Sequence, residues 1–153
     1  MDIKIDGHKL EHQLGDSMWY ITNDKQNNFK LIVAEHKNFI DTICITAENE
    51  ITFLGNSYPI DPTLGEFWTK EEAQEWLIEN MPENLAVTKE TDVFFCDKTG
   101  QIQIARVIGL IVKRGRIGYK TACRFSNWDF FTNDDIDKNI FLTYENLVKK
   151  KRG

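Results

Sequence analysis

The chain has 153 residues, 41% of them hydrophobic and 28% charged, with a formal net charge of −5. This supplies a packed core and excludes a disordered chain, and the length allows one domain or two very small ones. No apolar run approaches the ~18 residues of a membrane span and the opening "MDIKIDGHKL" has no signal-peptide core, so no membrane contact and a cytoplasmic setting are expected.

"DIKIDGHKLEHQL" alternates apolar and polar residues about Asp6-Gly7, which predicts a hairpin. "MWYIT" and "FKLIVAEH" read as strands. "DTICITAENEITFLG" reads as a second hairpin, with Ile43 and Ile45 on one arm and Ile51 and Phe53 on the other. "NSYPIDPTLG" is a loop, because Pro59 and Pro62 cannot donate to a ladder. A helix follows. Thr69 and Glu72 form a T-x-x-E capping box, Ala73, Trp76, Leu77 and Met81 give the buried stripe, and Pro82 stops it.

The second half repeats this order. "DVFFCD" is a strand, and "QIQIARVIGLIV" is a long bent strand with a bulge or kink at Gly109. Arg114-Gly115 is a turn, "IGYKTACRF" runs back, and "SNWDFF" is a short strand. "TNDDIDKN" is a loop, "IFL" a last strand, and Thr143 caps the final helix "YENLVKKK". "FWTKEEAQEWL" and "FLTYENLVKKK" end the two halves alike, with Thr69 and Thr143 standing 74 residues apart. This reads as a tandem duplication of one βββββα unit. The expected fold is α+β, mostly β: two tandem small SH3-like barrels, each followed by a short helix, over 1–84 and 85–153. The two parts differ in charge. Residues 1–84 carry 16 acids against 6 Lys/Arg, and 85–153 carry 8 acids against 13 Lys/Arg.

In the second part Gly100, Ile108, Gly109, Ile117, Tyr119, Phe131, Thr132, Asp135, Ile136, Lys138, Phe141, Leu142, Thr143 and Glu145 follow a recurrent pattern. It resembles the repeat of small SH3-like β-barrel proteins of Firmicutes phages and mobile elements, closely over 91–148 and loosely over 18–80. Asp137 stands where that family usually has Gly. The resemblance implies the barrel fold and a phage-type origin, and it brings no catalytic residues.

Catalytic patterns are weak. "HKLEH" at 8–12 matches the inverted zincin motif, but on a strand His8 and His12 stand roughly 13 Å apart, too far to share an ion. They are expected to be exposed on an edge strand. No nucleophile elbow, P-loop or dinucleotide fingerprint is present. Cys44, Cys96 and Cys123 are widely spaced without C-x-x-C, which fits a reducing compartment and thiols used as small core hydrophobes. Asp134, Asp135 and Asp137 lack an EF-hand frame and read as a solvated loop. No enzyme activity, cofactor or metal is expected.

Two charged surfaces remain. Glu71, Glu72, Glu75 and Glu79 line the outer face of the first helix as an acidic docking surface for a protein with a basic, nucleic-acid-binding face. Arg106, Lys113, Arg114, Arg116, Tyr119, Lys120 and Arg124 cluster on the hairpin 106–124, a pattern that suits phosphates and stacked bases. The leading expectation is a phage or mobile-element accessory factor that binds and inhibits a host nucleic-acid-targeting defence protein, of anti-CRISPR or anti-restriction type. A direct nucleic-acid binder and a structural phage component are the alternatives.

Overall fold

The computed structural model describes residues 2–123 and 127–153. The protein is mostly β. Among the described residues there are eleven short strands and two α-helices. In chain order the strands are β1 (Lys4–Ile5), β2 (His8–Lys9), β3 (Met18–Asp24), β4 (Asn27–His36), β5 (Thr42–Ile45), β6 (Ile51–Leu54) and β7 (Glu66–Phe67). After α1 (Lys70–Asn80) come β8 (Asp92–Cys96), β9 (Ile102–Lys113), β10 (Arg116–Thr121), β11 (Phe130–Phe131) and α2 (Tyr144–Arg152).

The chain divides into two compact units, Met1–Ile21 with Val33–Glu79, and Thr22–Ile32 with Asn80–Gly153. The tip of the β3–β4 hairpin therefore counts with the second unit, a grouping absent from the expected division at 84/85. The reason is local to β9. The Asn23 side chain donates to the Leu110 carbonyl at 2.9 Å, and the bare Gly109 lets Asn28 close in. A Cβ on Gly109 would lie 2.9 Å from both Cβ and O of Asn28, so only glycine fits.

In the first unit, β1 and β2 form the expected hairpin, with Asp6 and Gly7 both at positive φ. β3 pairs with β7 in the register Trp19↔Phe67 and Tyr20↔Glu66, in a three-stranded sheet of order β4-β3-β7. Between β6 and β7, Asp61 caps a 3-10 turn at Pro62–Leu64 that Gly65 closes. β5 and β6 form a separate two-stranded sheet. Gly15 N–H donates to the Ile40 carbonyl at 2.8 Å, and the N–H groups of Phe39 and Ile40 donate to the Asp16 carbonyl. Residues 15–16 thus hold the connector between β4 and β5.

In the second unit the sheet is continuous, in the order β11-β10-β9-β8. Arg114 and Gly115, both at positive φ, make the two-residue turn that keeps β9 and β10 in register. The predicted bulge lies beside Gly109: Lys120 pairs with Gly109 but Thr121 with Val107, leaving Ile108 extra. The expected last strand "IFL" is reduced to single bridges, Phe94↔Phe141 and Ile136↔Ile140. Asp137 adopts φ 67°, taking the left-handed conformation in which Asp is tolerated better than most residues.

Both helices start on threonine. Thr69 accepts from the Glu72 N–H and Thr143 from the Asn146 N–H, each at 3.1 Å. The Glu72 carboxylate accepts from the Thr69 hydroxyl at 3.1 Å, where a full capping box would have it accept from the backbone. In α1 only Ala73 is fully buried. Trp76, Leu77 and Met81 are half-buried, so the stripe is shallower than its spacing predicts.

The cores are unequal. Among the described residues the second unit buries fifteen hydrophobic side chains, including Phe95, Phe131, Tyr119, Ile140 and Leu147. The first buries six: Leu10, Met18, Ile21, Ile40, Phe67 and Ala73. It exposes seven large apolar residues against three in the second.

Candidate functional site

Glu71, Glu72, Glu75 and Glu79 are all exposed on α1, as their spacing predicts. Glu71, Glu75 and Glu79 follow one another at i, i+4, the separation that puts side chains on one face of a helix. Glu71 and Glu72 lie in the first turn, where the helix dipole favours negative charge. Ile78, one step from this row, is 79% exposed. The surroundings extend the negative charge: residues 38–79 hold nine acids and one cation, Lys70.

The basic hairpin is built differently from its sequence reading. Arg106 makes a two-pronged contact with Asp92, at 2.7 and 3.4 Å. Its guanidinium holds the Asp92 carboxyl below the ordinary range. Lys113 pairs with Asp129 at 2.9 Å, and Arg116 with Asp134 at 2.8 Å. Arg114 and Lys120 are exposed and, among the described residues, make no ion pair. Arg124 lies outside the described residues. The five described cations face three carboxylates, a net of +2. Exposed pairs are weak, at about 0.2–1 kcal/mol each, and a phosphate can displace them. Two uncompensated charges nonetheless support only about two phosphate contacts.

Tyr119 is not a surface aromatic. It is 2% exposed, and its ring lies 4.9 Å from that of Phe131. Its hydroxyl accepts from the Ala86 N–H at 2.9 Å and donates to the Asn133 side-chain oxygen. Burial pushes its phenol pKa up. It ties the segment after α1 to the β11 loop and cannot stack on a base. The sequence placed it correctly on β10 but could not tell which face of the strand is covered.

The acidic loop is structural. The Asp135 carboxylate accepts from Thr132 N–H at 2.9 Å, and Asp134 holds Arg116. Asp97 organises the β8–β9 turn, accepting from Thr99 N–H and hydroxyl, Gln101 N–H and the Gln103 amide. These bonds, the Thr99 hydroxyl first, lower its pKa to about 2.

His8 is exposed on β2, but His12 is not. The His12 ring stacks on Trp68 at 4.2 Å and meets Phe53 edge-on at 5.0 Å. Phe39 also contacts Trp68 edge-on, at 6.3 Å. This half-buried aromatic seam went unread in the sequence because its members are spread over 57 positions, from His12 to Trp68. Cys44 is exposed on β5 opposite Thr52 and so is not a core thiol, while Cys96 and Cys123 are partly covered. Among the described residues no three His, Cys, Asp or Glu side chains come together as a metal site, and no helix is long and apolar enough to cross a membrane.

No family model, no curated protein and no solved structure matches this chain.

Proposed function

We propose that this is a non-enzymatic interaction protein that docks an acidic surface onto a basic protein partner. The observation that carries this reading is the charge layout. Among the described residues Glu71, Glu75 and Glu79 make no ion pair, and Glu72 bonds only within its own cap, in a segment of nine acids and one lysine, whereas most of the described basic-hairpin cations are already held by aspartates. The exposed Ile78 beside the glutamates adds the apolar contact that a charged docking face needs at its centre. A basic protein surface that normally holds nucleic acid is the partner such a face suits. Together with the resemblance to repeat proteins of phages and mobile elements, this leads to an accessory factor that occupies and inhibits a host nucleic-acid-targeting defence protein, in the bacterial cytoplasm. In this reading the two units are duplicated SH3-like barrels, each closed by its helix. Support for the duplication comes from the matching corners, Trp19↔Phe67 before Thr69 and Phe94↔Phe141 before Thr143.

The test is capture from a bacterial lysate with wild type and with the Glu71→Lys/Glu75→Lys/Glu79→Lys variant, followed by mass spectrometry. A partner with a basic surface is expected on wild type. Its association should slow most at low salt in the variant, where rim charges steer encounter. A second titration uses short DNA and RNA, for which wild-type binding no tighter than about 10⁻⁴–10⁻⁶ M is expected. Tight, salt-steep nucleic-acid binding that vanishes in Arg114→Glu/Arg116→Glu would replace the reading with direct nucleic-acid binding.

A further inference from the structure

Among the described residues the β5–β6 hairpin is a two-stranded sheet with no third strand on either side. Isolated hairpins are marginal, and an open edge is a template for another strand unless Lys, Pro or a bulge blunts it. Thr42–Ile45 and Ile51–Leu54 contain no Lys and no Pro, and their register runs unbroken through four pairs.

The register also fixes what the edges present. Thr46 N–H donates to the Glu50 carbonyl at 2.9 Å. By antiparallel alternation the 45/51 and 43/53 pairs are then the non-bonded ones, whose N–H and C=O groups turn outward. Among the described residues no other element's backbone meets those groups. Ile43, Ile45, Ile51 and Phe53 share one face. Its base is half-buried in the aromatic seam through Phe53, and its tip is open, with Ile45 49% and Ile51 38% exposed.

We propose that this hairpin is a strand-addition site for an extended segment of a partner protein, apolar at alternate positions and carrying lysine or arginine between or beside them. Backbone bonds to the open edge give affinity, and the apolar face beside Ile45 and Ile51 selects side chains. The charge decides the occupant. Asp41, Glu48 and Glu50 belong to the hairpin and its flanks, and residues 38–69 contain no Lys or Arg. A second copy of this chain would bring acids against acids, whereas a basic strand neutralises them. The inference rests on the acidic-docking reading and supplies its mode of recognition.

The test uses an octapeptide alternating valine and lysine, its valine–glutamate counterpart, and amide hydrogen exchange on the full chain. The lysine peptide is expected to slow exchange about tenfold at Ile43 and Ile45 or at Ile51 and Phe53, the glutamate peptide to leave it unchanged. Where the protected amides are Ile43 and Ile45, Ile45→Pro removes an outward N–H without removing a hairpin bond and should reduce binding about tenfold; where they are Ile51 and Phe53, Ile51→Pro should do so. Ile45→Thr/Ile51→Thr keeps both edges and should weaken binding several-fold, which separates loss of the site from loss of the fold. Protection confined to other elements, equal binding of the two peptides, no binding of either, or a dimer with these amides protected before peptide is added would each overturn the proposal. Lysine-peptide binding lost in Glu71→Lys/Glu75→Lys/Glu79→Lys but kept in both hairpin variants would overturn it while leaving acidic docking by α1 intact.

Discussion

In the first unit Trp19 pairs with Phe67, Thr69 caps α1 and Ala73 is its buried residue. In the second, Phe94 bridges Phe141, Thr143 caps α2 and Leu147 is its buried residue. From the same corner the two part at one connection. β9 and β10 are joined by two residues, Arg114 and Gly115, and the sheet runs on through β11. β4 and β5 are joined by five, 37–41, and residues 39–40 bond to Gly15 and Asp16 instead. The β5–β6 hairpin is left as its own sheet, and His12 stacks on Trp68 and meets Phe53 edge-on. A short turn with the right twist enforces pairing. A longer connector lets another segment compete for the backbone, and the outcome is a small core with open edges on one side and a closed core on the other.

The largest difference is expected on cutting into each core. Phe95, fully buried, should cost about 3–5 kcal/mol as Phe95→Ala, whereas the half-buried Trp76 should cost less, about 1–3 kcal/mol as Trp76→Ala. Denaturant melts of both variants measure this, and equal losses would mean that α1 packs as deeply as the second core. Next, Tyr119→Phe strips the partner from the Ala86 N–H and from Asn133. It should lower stability by about 1–3 kcal/mol with little change in secondary structure. A loss near zero would leave the segment after α1 untied.

The helix caps give a smaller and more symmetrical test. Thr69→Ala and Thr143→Ala should each cost about 1 kcal/mol, and near-equality sharpens the equivalence of the two corners. Smallest is a pH effect confined to the second unit. The Asp97 carboxyl titrates near 2 when folded, against 3.8 ordinarily, so its contribution is present above about pH 4 and is lost as pH falls toward 2. The stability difference between wild type and Asp97→Ala should therefore shrink over that range. A difference that stays constant through acid would mean that the turn is held without the charge.

Much of this was legible in the residues themselves. Asp6-Gly7, Arg114-Gly115, the bulge at Gly109 and both threonine caps are set by side chains within a few positions of one another, and the alternation of Ile43, Ile45, Ile51 and Phe53 already described a hairpin. The exposed glutamates of α1 followed from helical spacing in the same way. The pairing of the basic hairpin was not legible, because charge along a strand says nothing of the carboxylates that approach from elsewhere: Asp92, Asp129 and Asp134 lie 14, 16 and 18 residues from the cations they hold.

Most of the elements, the two threonine caps, the tight turns and the charge difference between the two parts could be read from residues close together or from simple composition, although the last strand "IFL" came out as single bridges. The burial of Tyr119, the stacking of His12 on Trp68, and the open β5–β6 hairpin beside a β10 closed into a sheet came instead from packing over long separations. Those outcomes depend on which distant backbone groups win a shared partner. The contest around residues 15–16 and 39–40 is settled by packing and hydrogen bonding across 24 positions of chain, a separation over which no local pattern carries information.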